Sequence, residues 1–315
     1  MKPYNIDIPV LILFFVRPEQ LNKVFEAIKE ARPSKLYLFQ DGPRAGNLED
    51  ISKIEECRKI VANIDWDCEV HRSYQSKNFG CDPSNYMAQK WMFSHEEYGM
   101  VFEDDSVPAQ SFFPFCKELL EKYKYDTRMG MICGMNNLGT VESPYSYVFS
   151  QSGSIWGWAT WRRTVELWDE NYSWLDDLDC LSKLQSSMDK ELYNLFIKSA
   201  KNHRQSGKAH YESILGAAIF LNNLLNIIPH KNMISNVGIA SESTHAVDNI
   251  KKLPRGIRRL FFMKTYELDF PLKHPKYIQN DMTFKKNIDN LMGNGQPVKR
   301  LFRRLESFIY RLVRN

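Results

Sequence analysis

The stretch VFEDDSVP, residues 101–108, sets three acids, Glu103, Asp104 and Asp105, directly after an apolar run that reads as a buried strand. Carboxylates at the carboxyl end of a strand in an open α/β sheet stand where such sheets bind ligands. They also offer the hard oxygen donors that Mg²⁺ or Mn²⁺ prefers. A plainer reading is that the acids only cap the next helix. The surrounding sequence decides between the two.

Working outward, 99–102 is the strand that delivers the acids, preceded by a helix over 83–95 and by the turn Asn78-Phe79-Gly80. At the start of the chain, 8–16 reads as a buried strand and 18–31 as a helix, with Pro18 in its first turn and Leu21, Val24, Phe25 and Ile28 on one face. A second strand over 35–39 ends in the turn Gln40-Asp41-Gly42-Pro43. A polar helix over 47–63 and a third strand near 67–72 follow. This β-α-β-α-β alternation predicts an α/β fold, a Rossmann-like, mostly parallel sheet with helices on both faces. Downstream, the spacing predicts a helix over 112–123, a short strand at 130–133, an aromatic stretch over 145–161, helices over 164–200, a polar loop from His203 to His210, a helix over 213–225 and a last strand over 229–237.

With 315 residues, 43% hydrophobic and 25% charged, the chain can bury a sizeable core as one large or two modest domains. The apolar run 8–16 stops at Arg17-Pro18, too short to span a bilayer, and has neither a basic leader nor a small-residue cleavage site, so a cytoplasmic protein is expected. The six cysteines show no metal-ligand spacing and are read as reduced thiols. The net charge of +4 hides an asymmetry: 251–315 holds 16 Lys and Arg against 5 Asp and Glu, so that segment is +11 and the remainder −7. The division expected is an α/β domain over 1–246 and a basic C-terminal helical extension over 247–315. Over 298–314, Leu301, Phe302, Leu305, Phe308, Ile309, Leu312 and Val313 share a helical face among arginines. This pattern suits peripheral attachment to an anionic membrane surface or docking on the protein itself. No nucleic-acid module accompanies the charge.

Seven pieces of the chain, in order, carry a resemblance: PVLILFFVRP at 9–18, LFQDGP at 38–43, NFG at 78–80, the acidic triplet, SGSIWGWATW at 152–161, HYES at 210–213 and NVGIASESTH at 236–245. Over 8–246 the sequence resembles nucleotide-sugar-dependent glycosyltransferases of the GT-A fold, close to bacterial relatives of the α-mannoside β-1,2-N-acetylglucosaminyltransferase family, some of which are labelled haemolytic. The resemblance implies a metal-dependent, inverting transferase that takes a sugar from a nucleotide-sugar donor, UDP-linked, to a glycan or lipid-linked glycan acceptor in cell-surface polysaccharide synthesis.

The resemblance also implies roles. Arg17 and Asp41 would line the nucleobase and ribose pocket, with Asn78 and Gly80 in the loop beside the nucleoside. Glu103 would lie near the donor sugar, Asp104 would contact the ribose, and Asp105 would ligate Mn²⁺ or Mg²⁺, joined by His245. Glu212 would be the catalytic base, with Asp176, Asp177 and Asp179 in reserve, and Trp156 and Trp158 would form an acceptor platform. Plainer roles stand beside these: Asp41 as a turn former before Gly42, Glu212 as a helix cap, and the tryptophans as core. A sugar-1-phosphate nucleotidyltransferase is the alternative enzyme, but it calls for a glycine-rich loop and a basic anchor after the first strand, which Phe15-Val16-Arg17-Pro18 does not supply. A non-catalytic glycan-binding or membrane-active protein on the same fold is the rival from another class.

Overall fold

The computed structural model describes residues 1–238, 253, 255–293, 298, 301 and 302. Its strands are β1 (Ile6–Phe14), β2 (Pro33–Gln40), β3 (Glu69–Tyr74), β4 (Tyr98–Glu103), β5 (Ser106–Pro108), β6 (Met129–Cys133), β7 (Tyr147–Ser150), β8 (Trp158–Trp161), β9 (Leu225–Pro229) and β10 (Ile234–Asn236). The helices are α1 (Pro18–Ala31), α2 (Leu48–Val61), α3 (Cys81–His95), α4 (Phe112–Lys122), α5 (Arg162–Glu166), α6 (Leu178–Ser187), α7 (Lys190–Ser206), α8 (Tyr211–Leu221), α9 (Arg255–Arg258) and α10 (Met282–Met292).

Strand β1 is central because its run IDIPVLILF is apolar on both faces. Val10, Ile12 and Phe14 enter the core beneath α1 and α4, while Leu11 and Leu13 enter the core beneath α3 and α8. A strand covered on both sides loses the alternation of a half-exposed one and takes parallel neighbours, here β2 and β4. Helix α1 begins with Pro18 in its first turn, buries Leu21, Val24, Phe25 and Ile28, and ends at Arg32 in the left-handed region. The whole sheet has the order β3-β2-β1-β4-β8-β6-β9-β7. Only β8 and β7 run against the others, through the antiparallel pairs β4–β8, β6–β8 and β7–β9. The result is the mostly parallel α/β sheet that the alternation predicts.

Two local departures matter for the site. The aromatic stretch after 145 supplies the two reversed strands β7 and β8. The single strand expected over 229–237 is two: β9 stays in the main sheet, and β10 leaves it to pair antiparallel with β5. Between them the buried Asn232 fixes the turn, donating to the carbonyls of Ile234 at 2.7 Å and Lys264 at 3.0 Å.

Part of the basic segment beyond 246 packs on this body. Leu260, Leu268 and Leu272 enter one core, and Phe284 and Ile288 the other. The Glu267 carboxylate accepts from the backbone N–H groups of Gln110 and Ser111. His245 lies outside the described residues, as does the amphipathic stretch 298–314 except 298, 301 and 302. No helix among the described residues is long and apolar enough to cross a membrane. All six cysteines are free thiols.

Candidate functional site

The crossovers β1-α1-β2-α2-β3 carry the chain one way across the sheet, and α3 returns it to place β4 on the other side of β1. Crossovers that leave in opposite directions open a crevice between the carboxyl ends of β1 and β4, where ligands bind in such sheets. Arg17 arrives from the end of β1, and Glu103, Asp104 and Asp105 arrive from the end of β4.

The four residues form one charged cluster. Arg17 Nη1 donates to Asp105 Oδ2 at 3.0 Å, and Nη2 donates to Asp104 Oδ1. The backbone N–H of Phe15 donates to Asp104 Oδ2 at 3.2 Å. Burial works against the guanidinium charge, yet Asp104 and Asp105 outweigh it and hold Arg17 protonated more firmly than in water. Asp105 is fixed from its other side by the β5–β10 pair: Asn236 Nδ2 donates to its Oδ1 at 3.1 Å, and its backbone carbonyl accepts from Val237 N–H at 2.8 Å. A Cβ at Gly238 would stand 2.1 Å from Asp105 Oδ2, so only glycine lets the chain pass so close to this carboxylate.

Glu103, the last residue of β4, accepts a hydrogen bond at 2.8 Å from the buried hydroxyl of Tyr211 on α8. Burial, then the nearby Asp105 charge, pushes its carboxyl up to about 8, and the Tyr211 hydrogen bond only partly opposes them. The phenol of Tyr211 is held well above its ordinary value by its own burial and by Glu103.

The cluster floors a pocket of about 740 Å³. Arg17, Glu103 and Asp105 line it, Glu212 stands exposed on the first turn of α8, and Trp156, Phe196, Phe220 and Phe261 supply aromatic walls. His203 and His210 also line it. Their rings stack at 4.0 Å, and His210 Nδ1 is 2.9 Å from Asp82 Oδ2.

Several expected roles need correction. Asp41 is buried and its acceptor capacity is filled by its own chain. Its two oxygens take the backbone N–H groups of Gly42, Phe79 and Gly80 and the Asn78 amide, so it braces the 78–80 loop and offers no free lone pair to a nucleobase. Asn78 serves the same brace, and Gly80, at φ +88°, is the residue before α3. Trp158 is 1% exposed, packed in the core, and cannot form an acceptor platform; Trp156 alone of the proposed pair lines the pocket. Asp176 pairs with Arg204, Asp177 caps α6, and Asp179 pairs with Lys183, and none of these reserve bases lines the pocket. Sequence reasoning missed Tyr211, Asn236 and Gly238. Each lies in a motif already singled out, but their contacts with the triplet join positions more than a hundred residues apart.

Among the described residues no group of three or more His, Cys, Asp or Glu is arranged to hold a metal. Mg²⁺-type ions in nucleotide sites take one or two carboxylates and complete their shell with phosphate oxygens and water. Asp105 is an oxygen donor of that kind, with Oδ2 toward the pocket and engaged by Arg17. Asp105 would be the residue to hold an ion arriving with a diphosphate, in place of its pair with Arg17.

No family model matches the sequence, and no curated protein does. Among solved structures the chain is similar to CMP:2-keto-3-deoxy-manno-octonic acid synthetase complexed with CTP, at 8% identity and a TM-score of 0.35, over 74% of this chain and 94% of that one. A likeness that shallow adds nothing to the topology read from strand pairing.

Proposed function

We propose that the protein is a metal-dependent, inverting glycosyltransferase of the GT-A type, moving a sugar from a UDP-linked donor to a glycan acceptor. The observation that carries this reading is the convergence of Arg17 with Glu103, Asp104 and Asp105 at the switch point of the sheet, opening on a pocket that Glu212 also lines. Arg17 is the cation available to the donor's phosphates, Asp104 fixes Arg17 and the end of β1, and Glu103 faces the transferred sugar. An inverting transfer needs a base across from the leaving group, and Glu212, exposed at the pocket, takes the acceptor hydroxyl proton.

Charge balance supports a divalent ion. Asp82, Asp105 and Glu212 face the pocket against Arg17 and two histidines, with Glu103 holding its proton at neutral pH, so a polyanionic ligand needs added positive charge to enter. When bound through Asp105, the ion supplies that charge to the departing diphosphate. Attachment to an anionic membrane through 298–314 belongs to the same proposal and is checked by sedimentation with anionic vesicles.

Calorimetric titration with UDP, with and without Mn²⁺, tests the reading. Manganese-dependent binding that is lost in Asp105→Asn is expected. Absence of UDP binding under either condition would overturn the donor assignment.

A further inference from the structure

The pocket changes chemical character along its length. Helix α7 turns Phe196, Ser199 and His203 into it, and α8 turns Glu212, Gly216 and Phe220 into it, in each case residues three or four apart that share a helix face. The helices lie antiparallel: His203 stacks on His210 at one end, and Phe196 meets Phe220 edge-on at 5.8 Å at the other. One end of the pocket is therefore polar and joins the carboxylates, while the other is hydrocarbon. Phe196 is backed by Trp174, stacked at 5.3 Å, and Leu253 and Ile257 also line the pocket.

The side chains of Phe196 and Phe220, which meet at that end, carry no hydrogen-bond donor or acceptor. A sugar placed among them would bury hydroxyls without partners, which is unfavourable; a hydrocarbon chain would not. The two ends are joined at Gly216. It sits inside α8, where glycine weakens a helix, and a Cβ added there would meet no atom within 4 Å. The missing side chain leaves a passage past the helix. From Glu212 to Phe220 the helix rises about 12 Å, the length of a chain of several methylenes.

We propose that the acceptor is amphiphilic, with its hydroxylated head at Glu103, Asp105 and Glu212 and a hydrocarbon chain running past Gly216 into the Phe196–Phe220 end. The assignment of the head end rests on the glycosyltransferase reading; the apolar subsite stands on the lining itself.

The test is calorimetric binding of methyl, hexyl and octyl β-glucosides, below their micelle concentrations, to the full chain. Affinity should rise about two- to fourfold per added methylene, so roughly 100-fold or more from methyl to octyl. Gly216→Leu should abolish that chain-length dependence and leave UDP binding unchanged. This substitution adds a good helix former into open space, so a loss is not one of folding. Equal binding of methyl and octyl glucosides, or octyl binding indifferent to Gly216→Leu, would overturn the proposal. Absence of UDP binding to the wild type would overturn the transferase reading and leave the alkyl series interpretable.

Discussion

Replacing Glu103 by Gln should make the metal-free protein more stable at mildly alkaline pH, by an amount that follows from where its carboxyl sits. A carboxyl raised from 4.5 to about 8 on folding keeps its proton longer in the folded chain than in the unfolded one. Stability is then fully present at acid pH and is lost as pH rises from the unfolded value through about 8. At ~1.4 kcal/mol per pH unit the full displacement corresponds to about 5 kcal/mol. The shift comes chiefly from burial, so the difference between the two proteins is on the order of a few kcal/mol. Urea denaturation in the presence of a chelator, from about pH 5 to 8.5, should show the wild type falling below Glu103→Gln by that amount. His203, lowered by burial and by His210, acts in the opposite direction as pH falls and is common to both proteins, so it cancels in the difference. Parallel stability profiles for the two proteins would refute the reasoning.

Arg17→Ala should destabilise the protein by about 3–5 kcal/mol in urea, since it leaves two buried carboxylates unpaired, and adding Asp104→Asn should restore part of the loss. Gly238→Ala should displace Asp105 and weaken UDP binding by about tenfold or more in calorimetry, with the fold retained. Trp158→Ala should cost about 3–5 kcal/mol as a core truncation, whereas Trp156→Ala, half-buried at the pocket, should cost clearly less in the same denaturation assay.

The half of the sheet that builds the crevice was legible because its signals are local. The apolar run of β1, Pro18 at the start of α1 and the turn after Gln40 each act within a few residues. The other half was not, because β7, β8 and β9 choose partners across long loops: Trp158 and Ala159 pair with both β4 and β6, a choice no neighbouring residue dictates. The acids could be found in the sequence, but not what holds them. Tyr211 reaches Glu103 and Asn236 reaches Asp105 only after the sheet has closed. Asp41 shows the reverse case, where a turn-forming acid before glycine was the physically sound reading and three backbone N–H groups agree with it. The leucines at 260, 268 and 272 enter the core from irregular chain, with no period to announce them.

The pairing of Arg17 with Asp104 and Asp105 also bears on the protein's life before it meets any ligand. A cavity floored by bare carboxylates would have to wait for a cation to mature, and stripping that cation would unravel it. This chain carries its own counter-ion at the end of β1. The charge of these carboxylates is closed within the chain itself, so the folded state asks nothing of the surrounding solution to hold them side by side.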